Sequence, residues 1–382
     1  MRSTVLGWGC IGLSVFVASL FACGGSGNTG FTNPDGGSSS GGGSSGGGSG
    51  SGSGGASGSG GSGGGSGSSS GIGGTIADSG GGTTTTSTTI YAHTDTILYS
   101  LDPQTKAVTP IGTFTGLGGS SGDDSITDLA VNAAGNVFVN SETVIYQATL
   151  PTGGTGNVAL TKLATISNSK GGDFYALGFT TKDALGTGTG EVLIGGDGNG
   201  ELWSIDQTTG ATKDLGSFGA DPSNSSSVLA LSGDIVFYNT SSGTPLGLAT
   251  IRACTTSSKG TNTCDGTSDY LAGINMTALA NAYGSGTPAP SLNGGIYGSP
   301  SQNETGPGTG FKDVFGLGVW NGTVYGFTRS VTGVSASLLS IDTTTGQGTI
   351  IPETVSISNG WSGAGVTTTV TVSIPNPPLP PQ

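Results

Sequence analysis

The chain has 382 residues, of which 78 are Gly and only 9% are charged, with 10 Lys and Arg against 23 Asp and Glu. A net charge of −13 repels phosphate backbones, so nucleic acid is excluded as a partner. Solvation falls instead to Thr, Ser, Asn and Gly, which suit half-buried strands and the turns between them, so a β-rich exported scaffold is expected rather than a cytosolic enzyme.

Arg2 precedes an apolar stretch, Val5 to Leu20, of signal-peptide length and shorter than the about 20 residues a transmembrane helix wants. It ends in Leu20-Phe21-Ala22-Cys23, which resembles the lipobox of bacterial lipoproteins, although Phe21 is bulkier than the residue usual there. The resemblance implies that residues 1–22 are removed as a signal peptide and that Cys23 carries diacyl chains of the palmitate kind. A membrane is then a partner through the lipid anchor, and the address is a bacterial cell envelope. Gly24 rather than Asp follows the cysteine, which points to the outer membrane, with the domain periplasmic or surface-exposed. An uncleaved apolar anchor is the other reading of this segment.

Residues 23–83 are nearly pure Gly and Ser, with Phe31, Ile72 and Ile76 as the only large apolar side chains. Such a stretch buries too little surface to offset chain entropy and is expected to be a disordered tether. It spans roughly 40 Å as a random coil and up to ~200 Å when stretched. Its Gly-x-Gly-x-x-Gly matches are accidents of composition, because no strand precedes them and no helix follows.

Residues 84–374 carry an internal repeat. Leu98-Tyr99-Ser100-Leu101-Asp102, Leu202-Trp203-Ser204-Ile205-Asp206 and Leu338-Leu339-Ser340-Ile341-Asp342 each lead through a short Thr-containing turn to another strand, so each predicts a β-hairpin opened by its Asp. A second echo precedes them. Leu129-Ala130-Val131 turns at Gly135-Asn136 into Val137-Phe138-Val139, and Gly316-Leu317-Gly318-Val319 turns at Asn321-Gly322 into Val324-Tyr325-Gly326. The third copy is Leu229-Ala230-Leu231, expected to turn at Gly233-Asp234 into Ile235-Val236-Phe237. Together the echoes make four antiparallel strands at a spacing of about 45 to 52 residues, which resembles a β-propeller blade.

Five first strands align on a small residue: Ala130, Ala176, Ala230, Gly316 and Gly365. The last has no hairpin after it, and the N-terminal segment Ile90 to Phe114 has three strands with none before it. The expected fold is therefore all-β, a single propeller of five four-stranded blades whose C-terminal strand, near Gly363 to Val372, closes the first blade. Residues 276–312 lack the blade pattern and read as an insertion with a short helix over Met276 to Tyr283, or as a degenerate sixth blade. Residues 375–382 form a Pro-rich, extended tail.

Cys10 lies in the leader and Cys23 would carry lipid, which leaves Cys254 and Cys264 to close a short polar loop as a disulfide. His93 is the only histidine, so His-based metal sites and Ser/His/Asp chemistry lack their ingredients; it is expected on a strand edge at the surface. Asp197-Gly198-Asn199-Gly200-Glu201 reads as a hairpin turn rather than a calcium loop.

The residue three before each aligned small position is Thr127, Asp173, Ser227, Asp313 or Ser362. As a ring around one mouth of the propeller, these side chains would form a candidate site for Ca²⁺ or for sugar hydroxyls. The same residue types also serve as ordinary turn and capping groups ahead of a strand. Two functions follow: a non-enzymatic envelope module that binds a glycan, protein or envelope ligand, or an enzyme resembling five-bladed glycosidases, with Asp173 and Asp313 as its carboxylate pair. The sparse aromatic and charged residues around that pair favour the binding module.

Overall fold

The structure, a computed structural model, describes residues 89–370 except 121, 223, 257–261, 265–267, 299–307, 330–335, 353–354, 356 and 358–359. The leader with Cys23, the Gly/Ser segment and the Pro-rich tail lie outside the described residues.

The chain alternates short apolar runs with tight turns, and these give β1 (Ile90–His93), β2 (Ile97–Leu101) and β3 (Val108–Thr115). Next come β4 (Asp128–Val131), β5 (Val137–Asn140), β6 (Val144–Thr149) and β7 (Gly156–Thr165), followed by β8 (Phe174–Thr181), β9 (Glu191–Asp197), β10 (Glu201–Ile205) and β11 (Thr212–Ser217). The fourth unit is built from β12 (Ala220–Asp221), β13 (Asn224–Asn239), β14 (Pro245–Thr256), β15 (Asn262–Cys264), β16 (Tyr270–Ile274), α1 (Met276–Ser285) and β17 (Asn293–Ile296). The last strands are β18 (Val314–Trp320), β19 (Thr323–Thr328), β20 (Leu338–Ile341), β21 (Gly348–Ile351) and β22 (Gly363–Gly365).

Hydrogen bonding sorts these strands into five blades, β22-β1-β2-β3, β4 to β7, β8 to β11, β13-β14-β16-β17 and β18 to β21. Each innermost strand packs against that of the next blade, and β22 against β4 closes the circle. The chain is a five-bladed β-propeller. Its first and last segments share blade 1, through the antiparallel pairs Tyr91↔Gly365, Ala92↔Ala364 and His93↔Gly363. That pairing removes the two edges an open ring would expose. The outermost strands of blades 1 and 2, β3 and β7, also pair in parallel.

The repeated hairpin forms as its sequence requires. Oδ1 of Asp206 accepts the N–H groups of Thr208 and Thr209 at 2.9 Å each, and Asp102 and Asp342 do the same in their turns. These bonds to the charged form hold the Asp206 and Asp342 carboxyls below their ordinary range. The turn then needs a left-handed residue, supplied by Gly210 (φ 74°), Gly346 (φ 73°) and, in the first copy, Lys106 (φ 63°).

Between blades lies the core. Leu98, Leu129 and Val139 join blades 1 and 2; Phe138, Leu177 and Trp203 join 2 and 3; Ile194, Phe237 and Ile274 join 3 and 4. Trp361 is fully buried and meets Tyr99 of blade 1 and Phe327 of blade 5 edge-on, with ring centroids 5.2 and 5.3 Å away.

Three expectations change. His93 is fully buried rather than on a surface edge, because β22 covers β1 on the side away from β2. In blade 4 Gly233-Asp234 is not a turn. β13 runs straight through it with a bulge between Leu231 and Ile235, since the Thr250 hydroxyl accepts the Asp234 N–H (2.9 Å) and donates to the Val314 carbonyl (3.0 Å). The first strand of blade 4 is thus the Asp234 to Asn239 half of β13, and Leu229 to Leu231 belongs to an extension beyond the ring. Nor is 276–312 wholly an insertion, because β17 within it pairs with β16 as the outermost strand of blade 4. The helix between them is α1, capped by Asn275 on the Ala278 N–H (3.0 Å) and ended by Gly286 at φ 77°. Among the described residues no helix is long and apolar enough to cross a membrane.

Candidate functional site

Four of the five predicted ring residues, Thr127, Asp173, Asp313 and Ser362, stand immediately before β4, β8, β18 and β22, where the innermost strands begin. Each is engaged by its own neighbourhood. The Thr127 hydroxyl accepts from Asn140 Nδ2 (2.7 Å) and donates to the Phe174 carbonyl of the next blade (3.0 Å), so it is a strut between blades. Ser362 donates to Asp95, whose other oxygen meets Arg329 Nη2 at 3.1 Å.

Asp313 sits in the left-handed region (φ 58°), a conformation uncommon for a residue with a side chain. Its carboxylate lies 3.1 Å from Arg252 Nη2, and the same guanidinium lies 2.6 Å from Asp269, which is buried and also accepts the Val314 N–H (2.8 Å). Burial works against the Arg252 charge, yet the two carboxylates outweigh it and hold the guanidinium above its ordinary range. At Asp173 the neighbours are acidic and phenolic. Burial and then the Asp173 charge push the Glu142 carboxyl up, and Glu142 accepts a bond from Tyr175 (3.3 Å).

Ser227 does not join the ring. It lies on the extension of β13, paired with Thr255, and accepts from Asn224 (2.9 Å); the place equivalent to Thr127 in blade 4 is Gly233. That extension rises beside the mouth together with β12, β14 and β15, and the Cys254–Cys264 disulfide ties β14 to β15. Among the described residues no group of three or more His, Cys, Asp or Glu side chains is placed to hold a metal ion.

The hairpin reading of Asp197 to Glu201 holds. Asp197 Oδ1 accepts the Asn199 and Glu201 N–H groups at 3.0 Å each, and Oδ2 accepts the Trp203 indole at 2.9 Å.

Sequence reasoning missed two fully buried acids, Asp128 and Asp234, which stand at equivalent places on the innermost strands of blades 2 and 4. The signal was present, since each precedes an apolar strand, Leu-Ala-Val in one and Ile-Val-Phe in the other, where an unpaired charge is costly.

No family model matches the sequence, and no curated protein matches it. Among solved structures, a protein of unknown function from Bacteroides caccae is similar at 9% identity, over 73% of this chain and 98% of that one, with a TM-score of 0.37. The Dos1 propeller is similar at 12% identity over 75% and 60% of the two chains (TM-score 0.31). BamB from Moraxella catarrhalis is similar at 12% identity over 68% of each (TM-score 0.24). The assignment of five blades rests on the strand order of the chain itself.

Proposed function

We propose that the chain is a non-enzymatic lipoprotein of the bacterial cell envelope, whose tethered propeller binds a glycan, a protein or another envelope component. The observation that carries the reading is the state of the mouth. Its one carboxylate pair in register, Asp173 and Asp313, comes from non-neighbouring blades, and Asp313 is engaged in an ion pair with Arg252, which also holds Asp269. What is left is a rigid disc with polar loops around one end, the form of a recognition surface. The lipobox-like Leu20 to Cys23 and the Gly/Ser stretch supply an anchor with a long reach, and Gly24 favours the outer membrane.

Fractionation of cells expressing Cys23→Ser tests the anchor. A thioether-linked diacyl group needs that sulfur, and stable attachment needs two buried chains, so the variant is expected in the soluble fraction after a high-salt wash. Retention in the membrane would overturn the lipoprotein reading. Hydrolysis of furanoside or pyranoside polymers that is lost in Asp173→Asn or Asp313→Asn would overturn the non-enzymatic one.

A further inference from the structure

The five blades meet at two acids. Asp128 opens β4 and Asp234 follows the bulge of β13; both are fully buried, and their carboxyls hydrogen-bond to each other. Oδ2 of Asp128 accepts the Leu177 N–H of β8 at 2.6 Å. Oδ2 of Asp234 accepts the Leu317 N–H of β18 at 2.6 Å, and its carboxyl also receives N–H bonds from Ile235 and from Ala364 of β22. Blades 2 and 3, blades 4 and 5, and blade 1 are thereby tied to one pair of side chains.

Carboxylates are acceptors only, so a bond between two of them requires a proton. Both oxygens of Asp234 accept a backbone N–H, from Ile235 and Leu317, whereas Asp128 accepts only the Leu177 N–H, on Oδ2, and its Oδ1 receives no donor. Asp234 is therefore the better-solvated anion and Asp128 the acid that donates. Among the described residues the basic group beside the pair is His93, whose Nε2 shares with Asp128 Oδ1 the space next to Gly363. β8, β18 and β22 contain no acidic or basic residue. From β1 comes only His93, whose Nδ1 contacts the Thr94 carbonyl and whose Nε2 has no partner. Burial pushes that imidazole down to about 4, so it is neutral at ordinary pH. Asp95 and Arg329 act on it from further out.

The geometry points to a proton-locked hub: one proton shared between Asp128 and Asp234 holds the five-bladed ring shut, and its loss at high pH loosens the disc. Burial, followed by the charge of Asp234, raises the Asp128 carboxyl well above its ordinary range. The folded chain thus keeps a proton that the unfolded chain loses near pH ~3.9. The stabilisation is complete below that pH and is lost as pH rises through the raised folded value. His93 contributes with the opposite sign at acid pH, and Asp197, raised to about 7 by burial and by Glu201, with the same sign. A comparison of variants that share both groups isolates the hub.

The test uses the full chain, with thermal midpoints measured from about pH 5 to about pH 9 for the parent, Asp128→Asn and Asp234→Asn. An amide at 128 donates permanently to Asp234 while its oxygen accepts the Leu177 N–H, so it is a lock without a titrating proton. The midpoint of Asp128→Asn relative to the parent is expected to climb with pH, by about 2–5 °C per pH unit within the titration. An amide at 234 would aim its own N–H groups at backbone donors, so Asp234→Asn is expected to melt below the parent throughout. The infrared band of a protonated carboxylic acid should persist in the parent at about pH 8 and vanish in Asp128→Asn. A constant offset between Asp128→Asn and the parent, the same band in both, or failure of Asp128→Asn to fold would each overturn the proposal; an unfolded Asp234→Asn leaves the decision to the other variant and the spectrum.

Discussion

Gly363 is the position at which one added methyl group should cost most. It is the first residue of β22, paired with His93 on one side and pressed against β4 on the other. A Cβ built there would lie 2.1 Å from Asp128 Oδ1, 2.5 Å from His93 Nε2 and 2.9 Å from Asp128 Cα. The side chains can rotate; the Cα of a strand bonded to its own blade cannot. Overpacking costs about 1–3 kcal/mol, and displacing the Asp128 carboxyl from its bonds about 1–3 kcal/mol more. For Gly363→Ala we expect a loss of about 4 kcal/mol, or roughly 8–16 °C in the thermal midpoint for a domain of this size. Gly284 is the control. It is exposed on α1, and a Cβ there meets nothing within 4 Å, so Gly284→Ala should gain about 0.5–1 kcal/mol from helix propensity alone. Circular dichroism melts of the two variants beside the parent decide the matter. If Gly363→Ala melts within about 2 °C of the parent, β22 is not clamped between β1 and the hub, and the account of closure fails.

Truncation before Ser362 removes β22 and the bonds from Thr367 and Thr368 to Asn132 and Glu191, so the cooperative melt should be lost, whereas removing 24–83 should leave the midpoint unchanged. Replacing Cys254 and Cys264 by Ala should lower stability by about 2–3 kcal/mol at most, the value for so short a loop, as read from a denaturant titration. Asp197→Ala strips the Trp203 indole and two turn N–H groups of their acceptor and should cost about 2–4 kcal/mol in the same titration. Calcium should leave the parent's midpoint where it is; a rise that disappears in the Asp173→Asn, Asp313→Asn double variant would show that the mouth binds the ion after all.

What the sequence reveals of this fold is what local chemistry decides. The Asp-x-x-Thr hairpins could be read because each closes within a few residues: Asp206 bonds Thr208 and Thr209, and Gly210 supplies the left-handed step. Closure by the C-terminal strand could be read too, because blade 1 has three strands at one end of the chain and a lone strand at the other. Gly233-Asp234 could not. A turn and a bulge begin with the same dipeptide, and the residues that choose between them, Thr250 and Val314, lie far along the chain. β17 was hidden for a related reason, since Asn293-Gly294-Gly295-Ile296 has no strand pattern of its own and is ordered by β16 across α1. His93 alternates with apolar neighbours as a half-exposed strand residue would, and its burial depends on β22, some 270 residues away.

The hub explains why a ring this narrow tolerates acids at its centre. Equivalent places on the five innermost strands hold Asp128, Phe174, Asp234, Val314 and Gly363. Phe174 and Val314 fill space with apolar groups, and Gly363 leaves open the space beside the Asp128 carboxyl. Two acids can share the centre because one proton makes them donor and acceptor, and backbone N–H groups of three neighbouring blades take up further lone pairs. A single acid would lack a partner for its charge, and a third would add a negative charge with neither proton nor cation to meet it. The two aspartates that precede apolar strands are therefore the group through which the five blades are bonded, and the disc they hold closed is what any ligand at its mouth would meet.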